Sequence, residues 1–260
     1  MALTLFFISC VGGFVSGLLG VGGAVILIPL LLSVPPLVGV GALSIHSVSA
    51  ITMLQVLVTS ALGTFIHRRA GNVHAPSIML IGIPLGLCAL LGAVLSRYVV
   101  ADVLLLVFGI LVLIPFFIFP PKEKVASRGR DDLFRPHPGG GVAVGAAVGL
   151  VSGLVGAGGG FVLVPLLVTL LKFPLKLAVG SSLGIVLIGA LLGSAGKIAT
   201  LQVQWGYAVP VLLGSVPMVH LGSSLCRHLP SRYLRLLFLT LLVLVALDTW
   251  GNILWRSGWM

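Results

Sequence analysis

The chain has 260 residues, of which 58% are hydrophobic and only 8% charged, and its mean hydropathy is +1.25. That balance excludes an ordinary soluble domain and places the sequence among proteins with several membrane-crossing helices. The net charge of +10 would suit a nucleic acid only if the basic residues shared one face; they are scattered over short loops, so they read as signals of membrane orientation and no nucleic acid is expected.

A helix needs about 20 apolar residues to cross a bilayer. In chain order the apolar segments fall at 3–33, 38–66, 75–96, 99–120, 140–171, 174–197, 204–226 and 232–254, eight in all. The N-terminus, Met-Ala-Leu-Thr-Leu-Phe-Phe, lacks the basic residues of a cleavable signal, and the first Lys or Arg is Arg68. The first segment is therefore expected to belong to the fold. Residues 121–138 form the long polar stretch, read as a linker between a first transmembrane unit, 1–120, and a second, 139–260.

The two units share a motif. Gly13-Phe-Val-Ser-Gly-Leu-Leu-Gly-Val-Gly-Gly-Ala-Val-Ile-Leu-Ile-Pro29-Leu-Leu returns in the second unit as Gly149-Leu-Val-Ser-Gly-Leu-Val-Gly-Ala-Gly-Gly-Gly-Phe-Val-Leu-Val-Pro165-Leu-Leu. Glycines followed by a proline interrupt a helix where lipid penalises exposed backbone, and such interruptions survive only under cover of protein or in a water-filled cavity. Paired broken helices at matching positions are the best sequence pointer to a transporter's substrate site. The fold expected is thus an all-α integral membrane protein of two repeated four-segment units, with segments 1 and 5 discontinuous.

Two threadings compete. Eight full spans with the N-terminus inside place nine Lys and Arg in the cytoplasm and six outside. If segments 1 and 5 dip in and return as hairpins, about ten residues per arm sufficing for half a bilayer, the count becomes twelve against three, leaving Arg97, Lys197 and Arg256 outside. The positive-inside rule favours the hairpins, which make the units inverted repeats.

Where a helix restarts after a break, its first N–H groups are unpaired and the helix dipole adds about half a positive charge. Anions are held well there. Gly20, Gly22 and Gly23 with Gly156, Gly158 and Gly159 are the candidates to supply such donors. The competing use of these glycines is close helix packing through small-xxx-small faces, which Gly145-Gly149-Gly153 or Ser16-Gly20 would serve directly.

The doubled motif, in a chain of this length with four apolar segments per unit, looks like the sulfite exporter TauE/SafE family of membrane permeases. The resemblance spans nearly the whole chain. It implies transport of a sulfur-containing anion, such as sulfite, sulfoacetate or another organosulfonate, across a bacterial cytoplasmic membrane, with export as the expected direction. Ala178-Val-Gly-Ser-Ser-Leu183 is similar to the Gly-Thr/Ser-Ser element that this family places after its first proline, whereas Val40-Gly41-Ala42-Leu43-Ser44 departs from it. Ser181 and Ser182 are accordingly candidate donors to the anion, or else helix-to-helix hydrogen bonds.

The sequence holds five acids, Asp102, Glu123, Asp131, Asp132 and Asp248. A carrier of bare cations usually keeps carboxylates in its segments, so an anion is the better match. His46, Gln55 and Lys197 stand in or at the end of apolar segments as candidates for a substrate path or a proton-linked role. Their competing readings are a satisfied interior polar group and, for Lys197, a side chain snorkelling to the headgroups. Cys10, Cys88 and Cys226 form no CxxC and no histidines stand at ligand spacing, so no metal and no cofactor is expected. Gly180-Ser-Ser-Leu-Gly184 fits G-x-S-x-G, but that elbow needs a strand before it. An intramembrane hydrolase using Ser182 with His220, and a channel or scaffold subunit, are the alternative functions; the sequence leaves the oligomeric state open.

Overall fold

The computed structural model describes residues 1–118, 138–169 and 172–256. All of the regular structure among them is helical: α1 (Ala2–Leu19), α2 (Ala24–Leu37), α3 (Ile45–Arg69), α4 (Ala75–Leu95), α5 (Ala101–Ile118), α6 (Pro138–Val155), α7 (Gly160–Thr169), α8 (Leu175–Ala199), α9 (Trp205–His228) and α10 (Ser231–Arg256). Seven of them, α1, α3, α4, α5, α8, α9 and α10, are long and apolar enough to cross a membrane. Apart from residue 138, the first of α6, the expected linker lies outside the described residues.

The eight expected segments correspond to these ten helices, because segments 1 and 5 are each cut in two. The cuts fall at the glycines, while Pro29 and Pro165 lie inside α2 and α7, each six residues into its helix. The prolines therefore do not end the preceding helix; left-handed glycines do. Segment 2 begins later than its hydropathy suggests, at Ile45, since Gly39 and Gly41 turn the chain with φ of 72° and 110° and the Ser44 hydroxyl accepts the Ser47 N–H at 3.2 Å to cap α3.

Small residues decide who packs on whom. A methyl added at Gly145, Gly149 or Gly153 of α6 would collide with the carbonyl of Ile81, Leu85 or Ala89 of α4. Gly13 and Gly17 of α1 stand in the same way against Ser215 and Val219 of α9, and Gly214 and Gly222 of α9 against Phe6 and Phe14 of α1. Main chains touch along both pairs, and the numbers rise together, so α1 runs parallel to α9 and α6 parallel to α4.

The long helices α3 and α8 cross antiparallel at the centre, where Gly193 meets the Met53 side chain and Gly63 meets Leu183. Short loops, 70–74 and 200–204, lead from them into α4 and α9. It follows that α1, α3 and α9 all start at one end of the bundle, so the α1–α2 pair enters and leaves at that end. The α6–α7 pair does the same at the opposite end, where α4 and α8 begin. Outward, Met79, Ile83, Leu87 and Leu91 expose a stripe at four-residue spacing along α4, the surface that lipid covers.

Two outcomes test this packing. Gly153→Val should cost about 1–3 kcal/mol through overpacking against the Ala89 carbonyl and lower the melting temperature of the purified protein. In the 70–74 loop, the His74 ring accepts the Ser77 hydroxyl or donates to it at 2.9 Å, and partial burial pushes its pKa below the ordinary value. The folded state thus favours neutral imidazole: its contribution is full above about pH 6.5 and is lost as pH falls through the lowered pKa. His74→Asn, which keeps a cap, should reduce the acid-side loss of thermal stability.

Candidate functional site

The two glycine breaks meet at the crossing of α3 and α8. All six predicted glycines, Gly20, Gly22, Gly23, Gly156, Gly158 and Gly159, hold φ between 67° and 79°, a conformation costly for any residue with a Cβ. They are buried. A methyl at Gly22 would fall 3.2 Å from Val56 Cγ1 and 3.7 Å from Val186 Cγ1; one at Gly158 would fall 2.5 Å and 3.3 Å from the same two atoms. Val56 and Val186 are one residue short of the midpoints of their 25-residue helices. Gly160 backs directly onto the main chain of Gly20 and Val21.

The arms leading to the breaks exceed the length expected. Gly20 abuts Val179, seven residues from Val186 on α8, and Gly156 abuts Ser49, seven from Val56 on α3. Each first arm therefore overshoots the crossing by about 10 Å before the glycines bring the chain back to it. That accounts for the 18 residues of α1 and of α6.

Hydroxyls from the long helices hold the carbonyls at the overshoot. Ser182 donates to Gly20 O at 2.9 Å and to Val179 O at 2.8 Å, and Thr52 donates to Gly156 O at 3.1 Å. The Thr59 hydroxyl reaches Gly22 O at 3.3 Å. The N–H groups fare differently: among the described residues no acceptor takes those of Gly22, Gly23 and Ala24, nor those of Gly158, Gly159 and Gly160. Ala24 and Gly160 are the first residues of α2 and α7, and the four glycines lead into them. Gln55 completes the arrangement, fully buried beside Gly23 with neither its amide nitrogen nor its oxygen paired. The centre is rich in unclaimed donors and, among the described residues, has no carboxylate beside it.

The other predicted residues stand apart from the breaks. Ser181 accepts the His74 N–H at 3.0 Å and so anchors the 70–74 loop. His46, half-buried at the start of α3, bonds the Val99 carbonyl at 3.0 Å. Lys197 is fully buried and does not snorkel: its ammonium donates to Ser96 Oγ at 2.5 Å and Gln202 Oε1 at 3.2 Å, and reaches Leu154 O in the last turn of α6 at 3.5 Å. Ser182 spends its proton on main-chain carbonyls while His220 is exposed on α9, an arrangement that gives the hydrolase reading no nucleophile–base pair.

His67 was not singled out from the sequence. It is fully buried and its Nε2 lies 3.4 Å from Gly17 O, in the last turn of α1. His67 and Lys197 are each third from the end of their long helix, and Lys197 holds the corresponding turn of α6. Thr52 and Ser182 likewise share one position, eighth in α3 and in α8. A second repeat offset, slightly shorter than that of the glycine motif, was the available signal.

A family model described as sulfite exporter TauE/SafE matches residues 5–249. The chain is 29% identical over 256 residues to a probable membrane transporter protein of Xylella fastidiosa strain Temecula1, covering 93% of each. It is 28% identical over 266 residues to one of Haemophilus influenzae, covering 93% of this chain and 95% of that one. With the probable membrane transporter protein YunE of Bacillus subtilis it shares 25% over 260 residues, 90% and 92% of the two chains. No solved structure matches. The chain belongs to the sulfite exporter TauE/SafE family, a multi-pass membrane protein whose relatives are named as transporters.

Proposed function

We propose that this protein is a secondary transporter that exports a small sulfur-containing anion, sulfite or an organosulfonate, across the bacterial cytoplasmic membrane. The observation that carries this reading is the convergence of the α2 and α7 N-termini on Val56 and Val186, with their first N–H groups and Gln55 unclaimed. Two helix N-termini facing one point supply about one positive charge in sum. In a dry setting of low dielectric that attracts an anion strongly, and it binds through donors that need no counter-ion removed first.

Alternating access suits the same arrangement. On this reading the two units are inverted repeats, each crossing the membrane three times and sending one hairpin to the middle, one from either face. Gly22 and Gly158 at the tips close on Val56 and Val186; withdrawing one tip opens the site to one side while the other stays shut. His67 and Lys197 sit at the C-terminal turns of α1 and α6, where a side-chain N–H reaching an end carbonyl fixes each arm. The sequence contains no phosphate-binding P-loop, so an ion or substrate gradient is the driving force assigned.

Proteoliposomes loaded with sulfite or a panel of sulfonates, with and without a pH gradient, test the proposal. Flux should saturate and show counterflow; linear, non-saturating flux would indicate a pore. Gly22→Leu and Gly158→Leu should abolish flux in protein that still elutes as a single species. Gln55→Leu should raise KM about tenfold or more, the loss of a hydrogen bond to a charged group being about 1.5–3 kcal/mol. Wild-type KM in Gln55→Leu, with full flux in both glycine variants, would remove the site. Tags at both termini should be reached from outside the cell.

A further inference from the structure

A cleft of about 480 Å³ opens between α3 and α9, away from the glycine breaks, and is lined by Leu62, Phe65, Ile66, Arg69, Val216, Pro217, His220 and Arg227. Its floor and mouth differ in chemistry. Leu62 and Val216 lie seven and eleven residues before Arg69 and Arg227, about 10 and 16 Å along their helices. Arg69 and Arg227 stand at the helix ends, where a spanning helix meets the headgroups. The cleft is thus apolar over the depth of an acyl chain and cationic at its mouth.

Several details keep the cations in place and free to bind. The Arg69 guanidinium lies 4.3 Å above the Phe65 ring centroid, a stacking that leaves its N–H edges available. The Lys176 ammonium donates to the Arg227 main-chain carbonyl at 2.8 Å and so adds a third fixed charge beside the mouth. Among the described residues no carboxylate lines the cleft. Phe65 and Val216 are exposed, so the opening faces outward into lipid.

The charge is not a requirement of the fold. At the matching positions of α8 and α4, counted from the first residue of each helix, Arg69 is matched by Ala199 and His220 by Leu90, with Arg97 alone standing for Arg227. The basic mouth belongs to the end of the bundle that carries Arg68, Arg69, Arg227, Arg232 and Arg235, the end that the distribution of basic residues assigns to the cytoplasm.

We propose that this cleft is a binding site for an anionic phospholipid of the cytoplasmic leaflet. One acyl chain lies along Leu62, Ile66, Val216 and Pro217, and the phosphodiester is held by Arg69 and Arg227, with Lys176 and His220 at its edge. Two arginines gripping a phosphate give a geometry that a zwitterionic lipid, with its own ammonium beside the phosphate, uses less well.

Native mass spectrometry of the detergent-purified protein with added phosphatidylglycerol or phosphatidylcholine tests the site. Phosphatidylglycerol should bind at least tenfold more tightly, and excess inorganic phosphate should not displace it, since the chain contacts are part of the site. Arg69→Gln with Arg227→Gln should remove most of that preference; the single replacements, both at exposed positions, should each weaken binding several-fold and serve if the double variant does not assemble. Arg97→Gln, at the other end of the bundle, should leave binding unchanged. Equal binding of the two lipids, displacement by phosphate alone, or an equal loss in Arg97→Gln would overturn the proposal.

Discussion

Everything in this molecule turns on one constraint: a peptide group inside a bilayer must find a partner or be covered. Interrupting α1–α2 and α6–α7 near the middle of the bundle frees several such groups at once, and an isolated interruption of this kind would be expelled to the interface. Here each tip is covered by the other. The carbonyls at Gly20 and Gly156 are taken by Ser182 and Thr52 from the long helices, and Gly160 lies on the main chain of Gly20 and Val21. What remains unsatisfied includes the main-chain N–H groups of both breaks and both polar atoms of Gln55. On the function proposed above, those N–H groups are what a negatively charged guest would engage.

The same economy of bulk builds the periphery. Lipid tails offer helices no hydrophobic reason to associate, so contact comes from close approach of main chains. Glycines at four-residue spacing on α6 receive successive carbonyls of α4, and α1 and α9 exchange glycines in both directions. Close packing, one of the two uses of glycine weighed from the sequence, extends to the breaks, where Gly20 abuts Val179 and Gly156 abuts Ser49. Gly145, Gly149 and Gly153 serve packing alone, whereas the six glycines at the breaks also hold the left-handed backbone.

The breaks and the segments were legible because both are written in composition: runs of apolar residues and clusters of glycine survive without knowledge of neighbours. The start of α3 was not, since Val38 to Leu43 are as apolar as a helix and only the left-handed Gly39 and Gly41 with the Ser44 cap set the boundary. Thr52 and His67 were hidden for a different reason. The glycine motif and the long helices repeat at different offsets, because the stretch between break and long helix is longer on the N-terminal side, Ala24 to Ser44, than on the other, Gly160 to Pro174. With a single offset, the kinship of Thr52 with Ser182 and of His67 with Lys197 disappears. Lys197 shows the limit of reading position alone: a lysine near a helix end commonly snorkels, yet Ser96 and Gln202 keep this one inside.

The glycine seams carry an implication for movement. Each first arm is fastened along its length to a helix from the opposite half of the chain, α1 to α9 and α6 to α4. Tilting one arm drags its foreign partner with it. Under the alternating access proposed above, these tightly packed couples are the bodies that would move together, dividing the molecule across the sequence halves instead of between them.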